Sequence, residues 1–186
     1  MQVDIKAPHL ILRRLQSTDA AALADLAGDK KIAATKLHIP HPFSTEDANA
    51  MIQHAHQGFS EGTSYHYGMV ADAKLVGVAA LRLTPGELGT ADVMYWLGVP
   101  YWGRGYATKA AQALIYYGFG QLNLQCITAK HALFNPASAK VMKKCGATHR
   151  GIKVKAVYKD GAWHDSSNWS ILAQEYGRVQ PAKANA

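Results

Sequence analysis

The sequence predicts an α+β protein, a mixed α/β fold built on a mixed sheet. Three observations carry this. Two apolar runs, residues 65–71 and 75–83, flank Asp72-Ala73-Lys74, the pattern of an antiparallel hairpin. Ala107, Ala110, Ala111, Leu114, Ile115 and Gly118 then recur at helical spacing behind a strand that ends in glycines. A second strand pair closes the chain around Asp160-Gly161, a dipeptide suited to a tight turn. Hairpins interleaved with strand–helix–strand units give a sheet flanked by helices.

Each element has its own local cause. Leu10, Leu12 and Leu15 mark an opening strand. Ser17, Thr18 and Asp19 offer N-cap chemistry to the alanine-rich segment that ends at Ala27. Ile39-Pro40-His41-Pro42 is rich in turn residues. Ser44 or Thr45 caps the next helix, and Glu46 and Asp47 suit the positive end of its dipole. After the first hairpin a third strand covers residues 91–99, and Gly103 to Gly105 break it. Residues 126–129 form a short strand. Asn135 caps a helix with Pro136 in its first position, and Gly146 ends it in a left-handed conformation. Strands at 153–158 and 163–172 complete the order. Residues 1–179 are read as a single domain and 180–186 as a loose tail, small and polar.

Composition narrows the functional classes. A chain of 186 residues can bury a real core without staples. No run reaches the roughly 18 apolar residues of a membrane span, and the first ten residues lack a basic-then-apolar signal design. The expectation is a cytoplasmic protein with no membrane partner. Cys126 and Cys145 form no CxxC pair, which argues against a disulfide framework or a structural zinc. The formal charge of +7 is dispersed, with clusters no longer than Lys143-Lys144. That suits a phosphate-rich small ligand, and without a recognition-helix or RNP-like pattern no nucleic acid is expected. Neither His38 with His41 nor His54 with His56 has a clear third ligand, so no metal is expected. The chain is expected to act as a monomer or homodimer.

The informative stretch is VPYWGRGYATKAAQA, residues 99–113. A strand ends, a glycine turn follows and a helix starts at once. Such a helix start carries unpartnered N–H groups and a partial positive charge, and glycines let a ligand approach the backbone closely. Pyrophosphate fits there. The stretch is neither a Walker loop nor GxGxxG.

These residues resemble motif A of the GNAT superfamily of N-acetyltransferases, [QR]-x-x-G-x-[GA]. The window is Trp102-Gly103-Arg104-Gly105-Tyr106-Ala107, in which Gly105 and Ala107 match and Trp102 stands for the usual Gln or Arg. Asn135-Pro136-Ala137-Ser138 with Lys144-Cys145-Gly146 resembles motif B, N-x-x-S-x-x-x-x-x-K-x-G. The closing hairpin, the opening LILRRL, IPHPFSTEDA and ADVMYWLGVP resemble the RimJ/RimL-type branch, so the likeness covers nearly the whole chain. It implies a GNAT fold: a central twisted, mostly antiparallel sheet whose splayed parallel strand pair binds acetyl-CoA. It further implies that the amides of Arg104, Gly105, Ala107 and Thr108 hold the CoA pyrophosphate. Backbone groups near Leu97 and Val99 would pair with the pantetheine arm, and Asn135 would contact that arm or serve only as an N-cap.

Transfer of acetyl to an amine needs a neutral nucleophile, a polarised carbonyl and a stabilised thiolate. An α-amine is about a tenth neutral at pH 7, and a lysine lies about 2.5 units, some 3.5 kcal/mol, further away. Asp92 is the candidate base, directly or through a water, or else a strand-end carboxylate in a salt bridge. Ser138 is the candidate thiolate partner, or else support for the helix cap. Met142 occupies the position at which many relatives carry a proton-donating Tyr. A backbone N–H near Leu97, Gly98 or Val99 would polarise the carbonyl. His66 and His164 are further candidates for the acceptor cleft, which the segment 28–45 and the closing hairpin would shape. Cys145, at the C-terminal end of its helix, is no nucleophile. Acetyl-CoA is thus the expected cosubstrate, and the acceptor is a protein N-terminal amine or a small amine such as a polyamine. The alternative is a non-catalytic acetyl-CoA-binding regulatory module, which would need neither Asp92 nor Ser138.

Overall fold

The structure, a computed structural model, describes residues 4–36 and 39–179. His38 and the tail 180–186 lie outside the described residues. Eight strands form one sheet among them: β1 (Ile5–Ala7), β2 (Leu10–Arg14), β3 (Ser64–Ala71), β4 (Lys74–Leu83), β5 (Thr90–Leu97), β6 (Cys126–Ala132), β7 (Thr148–Lys159) and β8 (Ala162–Leu172). Their spatial order is β1-β2-β3-β4-β5-β6-β8-β7. Every neighbouring pair is antiparallel except β5 and β6, which are parallel. The helices are α1 (Ala20–Ala27), α2 (Lys30–Thr35), α3 (Thr45–Glu61), α4 (Tyr106–Gly120), α5 (Pro136–Lys144) and α6 (Ala173–Val179).

Local chemistry sets most of these bounds. Ser44 and Asp47 form a reciprocal capping box at the start of α3, as the sequence suggests. Asp72 and Ala73 both take positive φ in the β3–β4 turn, as do Asp160 and Gly161 in the β7–β8 turn, the backbone that matches the twist of a hairpin. At the end of α5, Gly146 has φ 77°, with Gly146 N–H to Lys143 O and Ala147 N–H to Met142 O. This closes a Schellman motif. The strand expected at 153–158 is longer, Thr148–Lys159, and two further expectations shift. The third strand stops at Leu97, because Pro100 sits in a 3-10 turn over Val99–Tyr101 that turns the chain out of the sheet. The strand expected at 126–129 runs on to Ala132, paired with β8.

The sheet buries both faces. On one, Leu12, Met69, Leu81, Ala91, Val93 and Leu97 pack beneath α4 and α5. Ala110, Ala111, Leu114 and Ile115 on α4 are fully buried there, while Ala107 is half-buried. On the other, Leu15, Val78 and Trp96 meet Leu23 of α1, Ile32 of α2 and Ile52 of α3. Strand alternation sends Ala91, Val93, Tyr95 and Leu97 to the first face and Asp92, Met94 and Trp96 to the second.

A candidate cleft at the splayed strands

The parallel pair separates early. β5 and β6 are in register only from Thr90–Cys126 to Asp92–Thr128, after which each continues without the other. Thr84 N–H bonds Thr90 O at one end of β5, and Gly98 N–H bonds Val76 O at the other. The even-numbered residues therefore aim their main-chain groups at β4, and Val93, Tyr95 and Leu97 aim theirs into the gap. The gap opens into a cleft of about 860 Å³, within the ordinary range for a small-molecule site.

The cleft brings together Asp92, Asn135 and Ser138. Asp92 fulfils its salt-bridge reading: its carboxylate lies 3.4 Å from Arg82 Nη2 and 3.6 Å from Lys130 Nζ, and Thr128 Oγ1 donates to its other oxygen. The same carboxylate lines the cleft. Asn135 stands at the N-cap of α5, yet its side chain makes no capping hydrogen bond. Ser138 is buried in the first turn of α5.

The glycine turn lies where β5 leaves the sheet. Gly103 and Gly105 take φ of 76° and 80°, and a Cβ at either would meet open space. Gly105 caps α4, whose first helical bond runs from Lys109 N–H to Gly105 O. The N–H groups of Tyr106, Ala107 and Thr108 thus have no partner within the helix. Arg104 is exposed, its guanidinium 5.7 Å from the centre of the Tyr101 ring. Leu97 contributes a main-chain edge, but its carbonyl already accepts from Trp102 Nε1–H at 2.7 Å. Val99 O likewise accepts from Trp102 N–H. Leu97, Val99, Arg104, Gly105, Ala107 and Thr108 are not among the residues that line the cleft; the last four lie in the glycine turn and the first turn of α4, beyond the end of its β5 wall.

Five side chains enter the cleft that sequence reasoning left unassigned or barely touched. Lys36 Nζ donates to the gap-facing carbonyl of Tyr95 at 2.6 Å, and burial lowers the ammonium to about 8. The Tyr95 phenol reaches Ser138 O at 3.5 Å, and burial pushes it above the usual range, so it stays protonated. His66 is held down to about 4, by burial first and then by the charges of His54 and Arg82. It is neutral at pH 7, and its buried Nε2 has no hydrogen-bond partner among the described residues. Arg82 and Lys130 complete the ion cluster at Asp92. Of these, His66 is the one the sequence offers as a candidate for the cleft lining. Lys36 reaches Tyr95 across 59 positions of sequence, a distance no local pattern reports.

Other candidates fall elsewhere. His164 bonds Lys159 O and packs on Phe134, away from the cleft lining. The Cys145 thiol is buried and pushed up to about 12. Segment 28–45 and the closing hairpin do wall the cleft, through Thr35, Lys36, Ile39 and Phe43 on one side and Lys153, Val157 and Asn168 on the other. Among the described residues no three His, Cys, Asp or Glu side chains gather as a metal site, and no helix is long and apolar enough to cross a membrane.

Comparison with known proteins agrees with this geometry. A family model described as an acetyltransferase (GNAT) domain matches residues 9–148. The N-acetyltransferase p20 of Bacillus licheniformis is 30% identical over 90% of this chain and 95% of its own. The crystal structure of a GNAT-family acetyltransferase from Bacillus anthracis aligns with a TM-score of 0.83 at 25% identity, covering 93% of this chain and all of that one. RimL, the ribosomal L7/L12 α-N-protein acetyltransferase solved with coenzyme A, aligns with a TM-score of 0.85 at 22% identity over 93% of this chain and 99% of that one; at that identity it is a likeness of fold.

Proposed function

We propose, since the chain belongs to the acetyltransferase (GNAT) family and is an N-acetyltransferase, that it passes the acetyl group of acetyl-CoA directly to an amine, either a protein N-terminus or a small molecule. The observation that carries this is the splay beyond Asp92, which leaves the main-chain edge of β5 facing a cleft lined by Asp92, Asn135 and Ser138. In this reading the N–H groups of residues 104–108 grip the diphosphate at the start of α4. The pantetheine arm then follows the edge of β5 past Leu97 and Val99, with Asn135 beside it. No metal takes part.

The amine nitrogen attacks the thioester carbon; a C–N bond forms as the C–S bond breaks. The ammonium proton leaves through a water to Asp92, which Arg82 and Lys130 hold in place. The CoA thiolate departs on the α5 side of the sheet, where Ser138 stabilises it and the protonated Tyr95 phenol can return a proton. Residues 1–179 act as one domain, in the cytoplasm, as a monomer or homodimer. The test is thiol release from acetyl-CoA against a panel of small amines and short peptides with free N-termini. Release should require an acceptor and should fall in Asp92→Asn and Ser138→Ala. Tight CoA binding with no release on any amine would overturn the catalytic reading.

A further inference from the structure

We propose that Lys36 anchors an anion subsite in this cleft, and that the acceptor is an amine bearing a carboxylate or phosphate. The proposal rests on the N-acetyltransferase reading of the same cleft. Lys36 follows α2, whose start is fixed by Asp29 accepting from Lys31 N–H at 2.8 Å. Its far end is tied to β7, where Lys159 Nζ donates to Ala33 O at 2.7 Å and to Lys36 O at 3.4 Å. So held, the Lys36 side chain runs into the gap, where its ammonium meets the Tyr95 carbonyl and lies 5.5 Å from the centre of the Tyr95 ring.

Neither contact supplies a negative charge. Among the described residues no carboxylate comes within ion-pair distance of Lys36. Lys36 is half-buried, and a cation held partly out of water without a counter-charge is costly; the lowered ammonium agrees with that cost. The cleft cannot make up the deficit from its own walls. Lys36, Arg82, Lys130 and Lys153 line it as cations, against two carboxylates. Asp92 is already engaged by Arg82 and Lys130, and Asp47 accepts from the backbone and hydroxyl of Ser44. The missing anion therefore belongs to the ligand. His66, neutral and with Nε2 unpartnered, offers a further hydrogen-bonding group to the ligand, an acceptor at Nε2 when the proton sits on Nδ1. A polyamine would bring several positive charges to a cleft with no uncommitted carboxylate. An amine with its own anionic group would balance Lys36, and the cations around it would favour the neutral, attacking form of the nitrogen.

The test uses matched acceptors at saturating acetyl-CoA: glutamate and its dimethyl ester, phosphoethanolamine and ethanolamine, an acidic peptide and its amidated analogue, and spermidine. The anionic member of at least one pair should be favoured about tenfold or more in kcat/KM, the scale of one charge-assisted hydrogen bond. Lys36→Met should erase that preference through KM, leaving the neutral acceptor and acetyl-CoA within about twofold, and Lys36→Arg should restore most of it. Which pair responds separates a small amine from a peptide. Calorimetry of N-acetylglutamate and of inorganic phosphate reads the subsite without turnover: the wild type should bind one of them and Lys36→Met should not. If no amine turns over, the enzymatic reading fails and calorimetry still decides the subsite. The subsite is refuted by a preference for spermidine or the neutral partners, by a Lys36→Met effect equal on both members of a pair or confined to acetyl-CoA, or by neither anion binding the wild type.

Discussion

Gly105→Glu, with Gly105→Ala beside it, isolates the electrostatic role of the α4 start. Both replacements force an L-residue to φ 80°, a backbone cost of about 1–2 kcal/mol. Neither meets a steric barrier, because nothing lies within 4 Å of a Cβ built there. Both variants should therefore fold and show similar, slightly lowered melting temperatures. They differ in charge. A carboxylate about 5 Å from a phosphate, at an effective dielectric near 20, is repelled by about 3 kcal/mol, or roughly two decades in Kd. Calorimetry with coenzyme A should thus find the alanine variant within about tenfold of wild type and the glutamate variant weaker than alanine by about a hundredfold, with that gap shrinking as salt rises. Equal affinities for the two variants would refute placement of the diphosphate at this helix.

Gly77→Ala tests the β4–β5 seam. A Cβ there would lie 2.2 Å from Trp96 O and 2.8 Å from Leu97 Cα, so β5 must retreat by about 1 Å to reach ordinary contact; thermal melts should show a loss of about 1–3 kcal/mol, accompanied by weaker CoA binding. Asp19→Asn should cost about 2–3 kcal/mol in denaturant unfolding, since the buried carboxylate takes two 2.7 Å bonds from Arg13 and one from Gln16 N–H. Burial alone would raise this carboxyl; its partners overturn that and hold it below the usual value. Its contribution is therefore complete above pH 4 or so and is lost as pH falls through the lowered native value, and a mutant whose deficit did not shrink on acidification would contradict this. Lys36→Met should melt higher than wild type at pH 7. The native ammonium titrates near 8 and the unfolded one near 10.5, so wild-type stability rises between those values and the advantage of the variant narrows there. Tyr95→Phe should lower kcat by about tenfold or more with CoA affinity intact if the phenol returns the proton to the thiolate; unchanged kcat leaves that task to Ser138.

What could be read in the sequence was what neighbours along the chain decide. The Ser44 capping box, the Asp160-Gly161 turn, the Gly146 helix stop and the α4 stripe each depend on residues within a few positions of one another. β1, α2 and α6 escaped because they are short, of three, six and seven residues, and α2 exists as much through the Asp29 cap and the burial of Ile32 as through any pattern of its own. Pro100 was visible, but its consequence was not: the strand ends two residues before the expected Val99. Of the residues that line the cleft, Asn135 and Ser138 were legible from their likeness to motif B, and Asp92 from its place before the Tyr-Trp-Leu run of the resembling branch. Lys36, Tyr95 and the ion partners of Asp92 were not. They meet only because the sheet places β4 and β6 on either side of β5 and because α2 is pinned to β7, contacts that span tens of residues.

The central claim is that acetyl-CoA enters with its phosphates on the start of α4 and its thioester in the gap beyond Asp92. Its most direct test is a crystal structure of the protein with coenzyme A. The account predicts diphosphate oxygens within hydrogen-bond distance of the N–H groups of residues 104–108 and a pantetheine arm along Tyr95 to Leu97, its sulfur on the Ser138 side. Phosphates bound anywhere else, or an arm that bypasses the β5 edge, would contradict it.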